Sequence, residues 1–355
     1  MTDLPAARHV YVRLPNWVGD VVLATPFLRA LRRAAPAASI TLHGKRQGLA
    51  VLAGEGLGDR ALPLSPGKSL VGLLREGRRV RREAGRPDVA FVLPNSVSSA
   101  LIARATGARA RVGYALNGRR VLLTRPLRAR KEGRLRPTPM VDYYLAMLAA
   151  AGAPADDAPR RPRLTVTPEQ ERRADDLLRR HGVPPGARPW ALNIGGSWET
   201  KRWIPEHAGR LARLLEASGR TPLLLTGPDE RDLARRALEA AGGPIPGADE
   251  VVPLTDLVAV LRRCEVMITT DSGPRHFGVA ADVPVLVLIG STHPGYAHVD
   301  YDALDVLCDE VACWPCHLKR CPIDFRCMTR LGPERVLAAA EQLLARARAA
   351  RGGAA

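Results

Sequence analysis

The sequence predicts an α/β protein of the doubly wound kind, built from two Rossmann-like domains with parallel sheets. Three observations lead there. Short apolar, β-branched runs alternate with amphipathic helical patterns, as in βαβ units. The alternation stops once, in a stretch rich in Pro, Asp and Arg over residues 153–168, and then restarts. At 355 residues the chain is too long for one ordinary core and suits two.

Taken in order, residues 9–14 read as a strand, followed by a turn and a helix over 20–34. A second strand is expected at 39–42, a helix at 69–84, a strand at 88–93 and a helix at 96–105. After the linker, 190–194 is a strand ending in Gly195-Gly196, 205–218 a helix, 222–226 a strand and 230–241 a helix. Residues 256–264 form a short helix capped by Thr255 or Asp256. Strands at 266–269 and 283–289 flank a short helix after Asp271, and 333–348 is a closing helix with Pro333 in its first turn. The expected domains are 1–160, 161–332 with a Cys-rich segment at 313–327, and a C-terminal helix and tail at 333–355. Such halves face one another across a cleft, and their ligands bind at the carboxyl ends of the strands.

Hydrophobic residues make up 46% and charged residues 25%, which excludes a disordered chain. Net charge is +17. Residues 1–150 hold 26 Lys and Arg against 9 Asp and Glu, whereas 151–355 hold 27 of each, so the whole excess lies in the first half. An anionic partner would be steered there: nucleic acid, acidic lipid headgroups or a phosphorylated glycolipid. A solvated, Arg-rich surface gives the same count. No secretory h-region follows Met1, and the longest apolar run, near 283–289, is far below the roughly 20 residues of a membrane span. A cytoplasmic protein is expected.

Four motifs could carry chemistry. Leu14-Pro15-Asn16-Trp17-Val18-Gly19-Asp20 joins the first strand to the first helix. Asp20 there is either an N-cap or a general base for a hydroxyl. Gly195-Gly196-Ser197-Trp198-Glu199-Thr200-Lys201-Arg202-Trp203 follows the first strand of the second half. Its glycines and hydroxyl offer N–H groups to a phosphate, and Lys201, one of five Lys among 48 Arg, is a compact charge for a leaving diphosphate. In Thr269-Thr270-Asp271-Ser272-Gly273-Pro274-Arg275-His276, the N–H groups of Ser272 and Gly273 at a capped helix start form an anion site. Asp271 suits orienting Lys201 or a donor hydroxyl better than meeting phosphate. Cys313, Cys316, Cys321 and Cys327 have the density of a structural zinc or iron knuckle, with His317 as an alternative ligand. Four free thiols fit equally. Cys264 and Cys308 read as core; His43, His181 and His207 show no partner.

These motifs, in this order, resemble the ADP-heptose–lipopolysaccharide heptosyltransferases of glycosyltransferase family 9, over nearly the whole chain. Leu93-Pro94-Asn95-Ser96-Val97-Ser98-Ser99-Ala100 adds to the likeness and is most similar to the heptosyltransferase II group. The resemblance implies the GT-B fold, an acceptor-binding first half and an ADP-sugar-binding second half. It implies inverting transfer of L-glycero-D-manno-heptose from ADP-heptose to the heptosyl-Kdo-lipid A inner core, without an obligatory metal. It implies Asp20 as catalytic base and Lys201 as the neutraliser of the departing ADP. Gly196, Ser197, Thr226, Gly227, Asp271, Ser272, Gly273 and His276 would bind the donor, with Glu230 facing the ribose. Asn16, Trp17, Asn95 and Ser96 would bind the acceptor. The basic half would also hold the enzyme against the inner face of the anionic cytoplasmic membrane.

Three features depart from the family pattern. Trp203 is followed by Ile204 before Pro205, Arg275 stands where Met or Leu is frequent, and the Cys cluster occurs only in some members. The rival readings are a GT-B transferase for another glycolipid or a protein acceptor, and a basic nucleic-acid-binding protein. The latter lacks aromatic stacking platforms and any recognisable nucleic-acid module.

Overall fold

The computed structural model describes residues 3–65, 67, 69–130 and 138–352. The chain divides into two compact units, Met1–Thr165 with Gly295–Val299, and Val166–Pro294 with Asp300–Ala355. The expected linker runs along the first unit: Arg29 donates to Arg163 O at 3.2 Å, and Thr165 N–H donates to the Glu55 carboxylate. The division therefore falls at 165/166, past the expected 160/161.

The first unit has strands β1 (His9–Arg13), β2 (Ser39–Gly44), β3 (Arg60–Pro63), β4 (Val89–Val92), β5 (Ala110–Tyr114) and β6 (Arg125–Leu127). Its helices are α1 (Val18–Leu23), α2 (Thr25–Ala34), α3 (Arg46–Val51), α4 (Leu70–Ala84), α5 (Val97–Ala105) and α6 (Met140–Ala149). All strand pairs are parallel, in the order β3-β2-β1-β4-β5-β6. This is the dinucleotide-fold order, which reverses between β1 and β4. β1 and β4 are almost wholly buried, as strands covered on both faces must be.

The helix expected over 20–34 is two helices. Pro26 has no N–H for Val22 O, and the Thr25 hydroxyl donates to that oxygen instead, at 2.7 Å. The break at Ala24 leaves α1 as a short separate segment.

The second unit has β7 (Trp190–Asn193), β8 (Pro222–Leu224), β9 (Val266–Thr270), β10 (Val285–Ile289) and β11 (Leu304–Cys308). Its helices are α7 (Pro168–Arg180), α8 (Pro205–Ala217), α9 (Arg231–Ala241), α10 (Leu257–Arg262), α11 (Pro274–Ala281), α12 (Arg326–Thr329) and α13 (Pro333–Gly352). The order is β11-β10-β9-β7-β8, again parallel throughout and reversing between β7 and β9. Ile204 is the N-cap of α8 and Pro205 its first residue, so the extra residue after Trp203 is spent in the cap.

Asp256 stands at the N-cap of α10 but does not cap it; its carboxylate is held by Arg173 at 2.6 and 2.8 Å. Val336, Ala340, Leu343 and Leu344 of α13 lie in one buried cluster with Trp190, Ile268 and Leu288. The closing helix is thus part of the second unit's core, and burying Leu343 alone contributes about 1.5–3 kcal/mol. Residues 353–355 of the expected tail lie outside the described residues. Among the described residues no helix is long and apolar enough to cross a membrane.

Candidate active site

Parallel sheets of this kind leave a crevice at the carboxyl ends of the strands where the order reverses. In the first unit that is the end of β1 and β4. Trp17 is the N-cap of α1; it is 64% exposed, with Lys45 Nζ 5.6 Å from its ring centroid. Asp20 is the third residue of α1, inside the first turn and not its cap. Burial, and after it the Asp20 charge, hold the neighbouring Tyr144 phenol well above its ordinary pKa. Asn16 is exposed, and its Oδ1 accepts from Arg13 NH2 at 2.7 Å. Asn95, half-buried, accepts at Oδ1 from Arg119 NH2 and Tyr143 OH, each at 3.0 Å. Ser96 caps α5, its Oγ accepting from Ser99 N–H at 3.2 Å.

In the second unit the crevice lies at the ends of β7 and β9. Lys201, from the turn after β7, donates to Asp271 Oδ2 at 2.9 Å. Asp271 also accepts from Arg275 NH1 at 2.8 Å and from the Thr292 hydroxyl at 2.6 Å. Burial alone would raise the Asp271 pKa. The charges of Arg275 and Lys201 and the Thr292 hydroxyl overcome it and hold the carboxyl well below the usual range. Arg275, the family departure, is therefore a buried counter-ion of Asp271, 2% exposed. His276 is buried, and burial followed by the Arg275 charge pushes its pKa well below the ordinary value, so the ring is neutral. Among the described residues its Nδ1 has no partner.

Two expectations about anion-binding N–H groups are corrected. The Gly196 N–H is not open: Glu230 Oε1 accepts from it at 2.8 Å, while Oε2 accepts from Gly227 N–H at 2.7 Å. A carboxylate 34 residues away thus fills the cradle expected for phosphate, and a Cβ at Gly195 would sit 1.9 Å from Glu230 Oε1, so a side chain there would have to displace that carboxylate. The Ser272 N–H donates to Thr270 O at 2.7 Å, and neither Asp271 nor Ser272 caps α11, whose N-cap is Gly273. The Ser272 hydroxyl instead reaches Asn193 Oδ1 at 3.1 Å. Ser197 is exposed, and Thr226 is buried beyond the end of β8.

Sequence reasoning missed Lys319. Its Nζ and that of Lys201 lie 5.8 and 5.1 Å from the Trp198 ring centroid, so two of the five lysines flank one indole. The scarcity that singled out Lys201 could have found it. Lys319 belongs to the Cys-rich segment, which is pinned beside the site by His317 N–H to Ser291 O at 2.9 Å and by the Thr200 hydroxyl to Leu318 O.

All six cysteines are free. Burial, and then Cys321, Cys316 and Cys313, push the Cys327 thiol up to about 11. Among the described residues no group of three or more His, Cys, Asp or Glu is arranged to hold a metal ion. Cys264 is buried as expected, whereas Cys308, on an edge strand, is only half-buried. The histidines without an expected partner have them: His43 with Glu76 at 2.9 Å, His181 with Glu250 at 2.9 Å, and His207 with Leu331 O at 3.1 Å.

Residues 75–325 match the sequence profile of glycosyltransferase family 9 (heptosyltransferase). The chain is similar to lipooligosaccharide heptosyltransferase 2 of Haemophilus influenzae, 28% identical over 297 residues, 79% of this chain and 83% of that one. A family 9 glycosyl transferase structure from Veillonella parvula superposes with a TM-score of 0.80 at 23% identity, covering 96% of this chain and 97% of that one. The E. coli ADP-heptose LPS heptosyltransferase II structure superposes with a TM-score of 0.76 at 22% identity, covering 96% and 99%. The two parallel sheets are therefore those of the GT-B heptosyltransferase structures.

Proposed function

The chain belongs to glycosyltransferase family 9, the heptosyltransferases, and from that premise we propose that it moves L-glycero-D-manno-heptose from ADP-heptose to the heptosyl-Kdo-lipid A inner core of lipopolysaccharide, with inversion. The observation that carries the reading is the Lys201–Asp271 pair, an ammonium fixed at the second sheet's reversal point, where a nucleotide diphosphate binds in such folds. The names of the similar heptosyltransferases support the substrate class.

In this reaction an acceptor hydroxyl attacks the anomeric carbon as the bond to the diphosphate oxygen breaks. The hydroxyl proton goes to Asp20, and Lys201 neutralises the charge that ADP carries away. Asp271 keeps the lysine aimed. Gly196, Ser197, Thr226, Gly227, Ser272, Gly273 and the neutral His276 bind the donor. Glu230 leaves the two glycine N–H groups for the ribose hydroxyls as the nucleotide enters. Asn16, Trp17, Asn95 and Ser96 bind the acceptor, in an enzyme working at the cytoplasmic face of the membrane. No step runs through a metal. A structural zinc or iron at Cys313, Cys316, Cys321 and Cys327 would need those side chains to regroup, and elemental analysis of the purified protein measures it.

The test is ADP release with ADP-heptose and heptosyl-Kdo-lipid A, together with a product heavier by one heptose. Release no higher than without acceptor would sink the proposal, and release only with another glycolipid or a protein would reassign the acceptor. Asp20→Asn should lower turnover by about 10²–10⁴ while ADP-heptose still raises the melting temperature. Near-normal turnover would remove Asp20 from the chemistry.

A further inference from the structure

Two buried arginines flank the reversal point of the first sheet in the same way. Arg13, at the end of β1, is 2% exposed; Arg119, after β5, is 0% exposed. Arg13 donates to Leu14 O, to His43 O at 3.4 Å and to Asn16 Oδ1 at 2.7 Å. Arg119 donates to Tyr114 O at 2.8 Å, to Pro94 O, to Val92 O at 3.5 Å and to Asn95 Oδ1 at 3.0 Å. Val92 is the register partner of Arg13, so both side chains serve one junction. Neither has a carboxylate partner among the described residues, and Arg13 Nε has no partner at all.

A guanidinium is a donor only. Each asparagine must turn its oxygen to the arginine, which directs its NH2 group away. Asn95 is doubly fixed, because Tyr143 OH also donates to its Oδ1. Among the described residues neither Nδ2 makes a hydrogen bond. For stability alone, aspartate would serve better at both positions, since it would give each buried cation a counter-ion. Asparagine holds the loop while adding no negative charge beside either guanidinium, and it leaves two N–H donors outward.

We infer that Arg13 and Arg119 are positioning residues that present the Asn16 and Asn95 Nδ2 groups to an oxyanion of the sugar acceptor, a carboxylate or a phosphate. This rests on the transfer reaction proposed above.

The test compares Asn16→Asp and Asn95→Asp with the alanine variants in the full chain. The aspartates should keep or raise the melting temperature and leave ADP-heptose binding unchanged. They should raise the acceptor KM by about tenfold or more with kcat nearly constant, and more than alanine does. Arg119→Lys should raise the acceptor KM in the wild-type background and add nothing to Asn95→Ala. With a dephosphorylated acceptor, a persisting difference between Asp variant and wild type assigns the carboxylate, and its loss assigns the phosphate. If an aspartate variant does not fold, the alanine variants and the Arg119→Lys cycle decide. A wild type that turns over acceptor while the Asp variants keep its KM overturns the inference alone. A wild type that neither binds nor glycosylates the acceptor overturns the reaction and the inference together.

Discussion

Single side chains at the second sheet's edge set how the protein responds to acid. His276 is buried neutral, with Arg275 opposing its protonation. Its folded pKa lies below the unfolded value of about 6.5, so the unfolded chain takes up a proton that the folded one refuses. The stability this group contributes is full above that value and is lost as pH falls from about 6.5 towards the folded pKa. His43, lowered by burial although Glu76 opposes the shift, acts in the same direction. Asp271 is also depressed, and its contribution is lost only below about pH 4. The expected result is a melting temperature that falls between pH 7.5 and 5.5, and falls less in His276→Gln. An equal fall in both would mean that the ring is protonated in the folded state. Lys201 was legible because lysine is scarce in this chain. Glu230 in the glycine cradle was not, because a contact spanning 34 residues leaves no local mark.

Among the elements, the turn from β7 into the Lys201 loop is closely packed. A Cβ at Gly195 would overlap the Glu230 carboxylate, so Gly195→Ala must expel it and give up its bonds to Gly196 and Gly227 N–H. A destabilisation of about 1–3 kcal/mol is expected, read by denaturant unfolding. It should be smaller in a Glu230→Ala background; strict additivity would show that the two do not meet. The buried strands with apolar runs, β1, β4, β7, β9 and β10, were readable from the sequence. β3 and β6 were not: Arg60-Ala61-Leu62-Pro63 and Arg125-Pro126-Leu127 are short edge segments in which proline and arginine hide the pattern. α6 escaped because it is apolar on nearly every side and shows no helical stripe. The break between α1 and α2 went unread because the helical pattern over 20–34 runs through Pro26, and the hydroxyl of Thr25 that completes it could be identified only in three dimensions.

At the scale of the whole molecule the charge separation dominates. Residues 1–150 carry the entire +17, and 151–355 carry none. Basic residues near an anionic surface contribute about 1 kcal/mol each, screened over a Debye length. The full chain is expected to sediment with phosphatidylglycerol vesicles at low salt, to be released near 0.5 M, roughly, and to ignore phosphatidylcholine. Equal binding to both lipids would remove electrostatics as the anchor. The two-fold repetition was readable from the βα alternation on either side of the proline-, aspartate- and arginine-rich stretch at 153–168. The place of α13 has a consequence of another kind. The first sheet has all its strands once Leu127 has been made, but the second core lacks Val336, Ala340, Leu343 and Leu344 until α13 has followed. During synthesis the second core therefore stays unfilled, and exposed to proteases, for long after the strands of the first sheet have been made.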